Sequence, residues 1–81
     1  MELKDTIEMM QSSDYKERFK AEYWQLKIRC NKLNDMLGKY KRGTLDFKPA
    51  CSYEDLYEQF IYMEHYLVSL KMRASIEGIE L

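Results

Sequence analysis

The chain has 81 residues, enough for one domain and too few for a second. Its 13 Lys+Arg face 14 Asp+Glu, a net charge of -1, whereas nucleic acid and anionic lipid attract proteins with a basic excess or a basic face. DNA, RNA and membrane surfaces are therefore disfavoured partners. Charged residues make up 33 % and Gly plus Pro only four positions, which excludes a collagen-like chain and argues against a turn-rich all-β fold. No apolar run approaches the roughly 20 residues of a membrane span, and Met1-Glu2-Leu3-Lys4-Asp5 does not open a signal peptide, so a cytoplasmic protein is expected.

In residues 1–12, Leu3, Ile7 and Met10 share a helical face with Met9 beside them, and Ser12-Ser13 follow as a break. This predicts a short N-terminal docking helix. Asp14 then stands three residues before Glu17, a capping-box pattern, and Phe19, Tyr23, Leu26, Cys30, Leu33, Leu37 and Tyr40 recur in steps of four and three. Lys39, Lys41 and Arg42 complement the dipole at the far end, and Gly43 can take the left-handed stop. The first long helix is expected near 15–42. Leu45 and Phe47, in the loop that follows, are expected to fold back over the closed end of the seam.

Pro49 rules out a continuous helix, and Ser52 with Asp55 repeats the start signal. Tyr53, Leu56, Phe60, Met63, Leu67, Leu70 and Ala74 then form a second heptad stripe, predicting a helix near 53–75, and Gly78 in the tail argues that it has ended. The short loop makes the two helices antiparallel neighbours. The register pairs Tyr40 with Tyr53, Leu37 with Leu56, Leu33 with Phe60, Cys30 with Met63, Leu26 with Leu67 and Phe19 with Ala74. Cys51 at the turn is then on the order of 18 Å from Cys30, which excludes an intrachain disulfide. The fold class is all-α: an antiparallel helical hairpin with a short N-terminal helix.

Two helices sharing one seam leave apolar flanks. Tyr57, Ile61, Val68 and Met72 widen the second helix's apolar face, and Trp24 and Ile28 do so on the first. A homo-oligomer is expected, most simply a dimer closing a four-helix bundle, with Ile28, Tyr57, Ile61, Val68 and Met72 at the interface. The alternative is cover by the chain's own N-terminal segment and tail.

Beside the first seam runs a polar stripe, Tyr15, Arg18, Glu22, Gln25, Arg29 and Lys32. Two arginines with an amide and an aromatic can grip a phosphate or a purine edge; the plainer reading is a solvated flank with an Arg18–Glu22 pair. The register also brings Lys71 and Arg73 level with Lys16, Arg18 and Lys20, a positive end suited to an anion. Lys39, Lys41, Arg42 and Lys48 at the turn are better explained as helix-end complementation. Of the seven tyrosines, Tyr23, Tyr40 and Tyr53 belong to the core, while Tyr62 and Tyr66 lie off the seam with His65, a surface residue, between them. A single His and two Cys offer no familiar metal spacing, and no carboxylate pair is set in an apolar surround. Neither a metal, nor a cofactor, nor catalysis is expected.

Three stretches carry a resemblance. The run Asp14-Tyr15-Lys16-Glu17-Arg18-Phe19-Lys20-Ala21-Glu22-Tyr23, the turn from Gly43 through Pro49 to Cys51, and the ending Ile76-Glu77-Gly78-Ile79-Glu80-Leu81 resemble small phage and prophage proteins common in gut Firmicutes, usually described as crAss-phage-related and of unknown function. The likeness spans roughly residues 13–81. It implies an early phage protein in the host cytoplasm that counters host defence. In size and layout the chain is also similar to phage helical-hairpin sponges, which oligomerise and sequester cyclic nucleotides or ADP-ribose-type signals. That likeness gives the stripe a use: phosphates at Lys16, Arg18 and Arg29, and a base on Tyr15 or Trp24 at a subunit junction. The rival expectations are an anti-CRISPR-like protein that blocks a host defence complex, and a coiled-coil adaptor.

Overall fold

A computed structural model describes all 81 residues. A 3-10 turn, Leu3–Thr6, runs into a one-turn helix α1, Ile7–Met10; the long helices α2, Tyr15–Arg42, and α3, Tyr53–Glu77, follow. There are no strands. The two long helices pack side by side as an antiparallel hairpin in a rod of 43 × 24 × 16 Å. Its radius of gyration is 15.0 Å, against the roughly 12 Å of a compact domain of this length.

Both helix starts are capped as expected: the Asp14 carboxylate accepts the Lys16 N–H at 3.0 Å and the Ser52 hydroxyl accepts the Asp55 N–H at 3.1 Å. The reciprocal half of the first capping box does not form. The Asp14 N–H donates to the Ser12 hydroxyl instead, and Glu17 pairs with Lys20 at 3.2 Å. Gly43, at φ 71°, and Gly78, at φ 70°, end the helices in the left-handed conformation, where a Cβ is disfavoured. The second stop lies two residues later than the seam pattern suggested. The Ile79 N–H bonds back to the Ala74 carbonyl at 2.9 Å, and this turn buries Ile79 in the core.

The expected register holds at both ends that can be checked. Tyr40 meets Tyr53 edge-on, ring centroids 5.7 Å apart, and Arg73, beside Ala74, lies over Phe19. The core gathers Phe19, Tyr23, Cys30, Leu67, Leu70, Ala74 and Ile79, with Trp24, Leu26, Phe60 and Met63 packed against it. Cys30 and Cys51 are free thiols.

One expectation is made specific and one needs correction. The N-terminal segment packs against α2 alone. It seats Thr6, 1 % exposed, on a face where Ala21 is also buried, a second contact surface of α2 that the heptad stripe does not include. Phe47 does not fold over the turn: it is 54 % exposed, because the loop that carries it lies along the side of α2 rather than across the seam. Only Leu45 of the pair is half-buried.

Candidate ligand-binding face

At the open end of the hairpin, the first turn of α2 meets the last turn of α3. The Tyr15 hydroxyl donates to Glu77 Oε1 at 2.9 Å and accepts from Arg73 Nη2 at 2.8 Å. Glu77 Oε2 takes Arg73 Nε at 3.3 Å, one helical turn along α3. The guanidinium lies over the Phe19 ring, 5.0 Å from its centroid, and Tyr15 meets Phe19 edge-on at 6.2 Å. Arg73 is thus held by a carboxylate, a phenol and a ring face. Desolvation works against its charge, yet Tyr15 and Glu77 outweigh it and raise its pKa, so the cation is permanent.

The same side of the hairpin continues upward. The Tyr66 hydroxyl donates to the Glu22 carboxylate, a second cross-helix link. Arg18 turns the other way and donates from Nη1 to the Ser12 carbonyl at 2.9 Å. Gln25 donates to the Thr6 hydroxyl at 3.0 Å and reaches Met10 Sδ at 3.5 Å. Both side chains of the expected stripe therefore tie down the N-terminal segment. Arg29, two turns above Glu22, is exposed and enters no ion pair.

By position Tyr15, Arg18, Glu22, Gln25 and Arg29 share one side of α2; Tyr15 and Glu22 reach α3, at Arg73 and Tyr66, while Arg18 and Gln25 reach the N-terminal segment. Lys16, Trp24 and Lys71 do not join them. At about 100° per residue, Lys16 and Lys71 point nearly opposite to Arg18 and Arg73, two positions on, and Trp24 is about 120° round α2 from Arg18. Trp24 is half-buried, its ring edge-on to Tyr23 at 5.1 Å. The expected positive end does not assemble either, since Lys20 pairs with Glu17 and Arg73 with Glu77. Sequence reasoning missed Thr6, Ser12, Tyr66 and Glu77 as partners of the stripe. Glu77 had a signal, its spacing of four from Arg73; the other three depend on tertiary docking.

The face is open rather than hollow. No concavity includes Tyr15, Arg18 or Arg73, and the largest, about 430 Å³, lies beside the loop between Lys32, Met36 and Phe47. Lys32 and Lys39 are balanced there by Asp35 and Asp46, so the groove offers an anion no net positive charge.

On the other side, the Cys30 thiol donates to Glu64 Oε1 at 3.2 Å. Burial, then the hydrogen bond and charge of Glu64, push its pKa up to about 11 against the opposing charge of Lys27. The thiol stays protonated and unreactive at neutral pH. No cluster of three or more His, Cys, Asp or Glu side chains could hold a metal ion, and no helix is long and apolar enough to cross a membrane.

What the fold and this face define is an all-helical hairpin whose open end links Tyr15, Arg73 and Glu77 beside the Phe19 ring. The chain belongs to the Sequestin family: the family model matches residues 13–76. The match covers α2, the loop and nearly all of α3, and leaves the N-terminal segment outside. No curated protein and no solved structure matches the chain.

Proposed function

We propose that the protein is a phage-encoded anti-defence factor that binds and holds a nucleotide immune signal, a cyclic oligonucleotide or an ADP-ribose-type molecule, without turning it over. The family name supports a sequestering role. The observation that supports the ligand class is the exposed, unpaired Arg29 on the stripe of α2 that also carries Arg18 and Tyr15, with Arg73 of α3, held by Glu77 and Tyr15, at its open end. Guanidinium groups give phosphate a planar fork of donors, and a Tyr ring at the edge of the cluster gives a base a surface to stack on. Tyr15, rather than Trp24, is the stacking residue in this reading. Because the face has no second wall within one chain, a second copy closes over the ligand at a subunit junction.

The test is a panel of cyclic di- and trinucleotides and ADP-ribose isomers, read by melting shift and by retention on desalting. A ligand at a hundred times its dissociation constant adds about 2.7 kcal/mol. The nucleotide should be recovered chemically unchanged on denaturation. Arg29→Ala and Arg18→Ala should each lower retention at least tenfold with helicity intact; equal retention by both variants would remove the stripe from the site. No shift across the panel, together with capture of a defence protein, would favour the rival reading, a blocker acting through the open face of α3.

A further inference from the structure

The outer face of α3 is left uncovered. Tyr57, Ile61, Val68 and Met72 follow in steps of four, seven and four, which places them on one side of the helix as two pairs flanking Glu64 and His65, with Ile61 half-buried. The N-terminal segment packs only on α2, and the tail returns through Ile79 into the core, so neither covers this face. Tyr57, Val68, Met72 and the neighbouring Ile76 are 47 %, 56 %, 60 % and 78 % exposed. An apolar strip of this length, rimmed by charge, marks an interaction surface.

We propose that a second copy of this chain covers it, α3 lying antiparallel on its counterpart about a two-fold axis that passes beside residues 64 and 65. The arrangement of the strip favours this occupant. Ile61 and Val68 are equally distant from the midpoint between Glu64 and His65, and so are Tyr57 and Met72. An antiparallel pair therefore opposes Ile61 to the partner's Val68 and Tyr57 to the partner's Met72, twice each, as an isologous interface requires. Charge selects the same direction. The first turns of α3 carry Glu54, Asp55 and Glu58, and its later turns carry Lys71, with Arg73 already paired to Glu77 on its own helix. Antiparallel pairing sets these acidic turns against the partner's Lys71 and opposes the two helix dipoles, whereas parallel pairing brings the acidic turns of both copies together. Glu64 is drawn towards α2 by Cys30, which keeps two free carboxylates from meeting at the axis.

This inference deepens the sequestration reading, since Ile76 links the strip to the Arg73–Glu77 cluster and the second copy arrives beside the ligand face. It stands or falls separately. Light scattering should give twice the chain mass, and Val68→Glu should halve it with the helical circular dichroism unchanged. Direction is tested in a Cys51→Ser background with a short bis-maleimide. His65→Cys should cross-link two chains, while Glu54→Cys, with its counterpart roughly 30 Å away, should not. A monomeric wild-type protein would overturn the pairing even if it retains nucleotide. Cross-linking at both positions, or at 54 alone, would overturn the antiparallel register. A dimer with this cross-linking pattern that retains no nucleotide would uphold the pairing and sink the sequestration reading.

Discussion

The two ends of the hairpin are built from the same kind of heptad stripe and end up in different states. At the open end, Phe19, Tyr23, Leu67, Leu70 and Ala74 are all buried. At the turn, Leu37 alone is buried, and Leu33, Tyr40, Tyr53 and Leu56 are half-exposed. The difference comes from what is added to the two helices. The N-terminal segment stacks a third layer on α2, and the left-handed stop at Gly78 folds Ile79 into the seam, so the open end has cover on several sides. At the turn there are only two rods and an extended loop with Phe47 in water. A seam between two helices is a stripe, and a stripe becomes a core only where something else closes over it.

The sharpest way to break this comparison is to cut the same side chain at each end. Leu70→Ala removes a wholly buried group and should cost about 3–4 kcal/mol in a urea titration, whereas Leu56→Ala should cost about 1–1.5 kcal/mol, because its site is already partly solvated. Equal losses would mean that the turn is as closed as the other end in solution.

A smaller effect comes from Cys30, where the well-packed half borders the rest of the seam. Its pKa rises from 9.0 to about 11 in the folded chain, chiefly by burial. Below pH 9 both folded and unfolded states keep the proton and stability is unaffected. Between pH 9 and about 11 only the unfolded state ionises, so stability should fall with rising pH, by about 2 kcal/mol across the window. Cys30→Ala should lack that part of the slope. An identical pH profile for the two proteins would place the thiol in water.

Much of this architecture was legible in the sequence. Stripe periodicity fixed both helices and their register, and Asp14, Ser52 and Gly43 marked boundaries because caps act locally. The end of α3 was read two residues short, since the heptad pattern stops at Ala74 while the helix runs on to its glycine. The docking of residues 1–12 could be expected, but not its side: a four-residue helix has too weak a pattern to say which surface it prefers. The candidate face was half legible. Tyr15, Arg18, Glu22, Gln25 and Arg29 share a side by spacing alone, and the register brought Arg73 to their level. That Arg18 and Gln25 would be engaged by Ser12 and Thr6 is a tertiary fact that no spacing reports. Grouping Lys16 with Arg18 and Lys71 with Arg73 used level along the rod without direction around it, and positions two apart on a helix face opposite ways.

The most direct test of the account is hydrogen exchange with and without a retained nucleotide. Binding at the proposed face should slow exchange in residues 12–29 and 66–79 and leave the loop 43–52 unchanged. Protection centred on the loop, or none in either stretch despite saturating nucleotide, would contradict it.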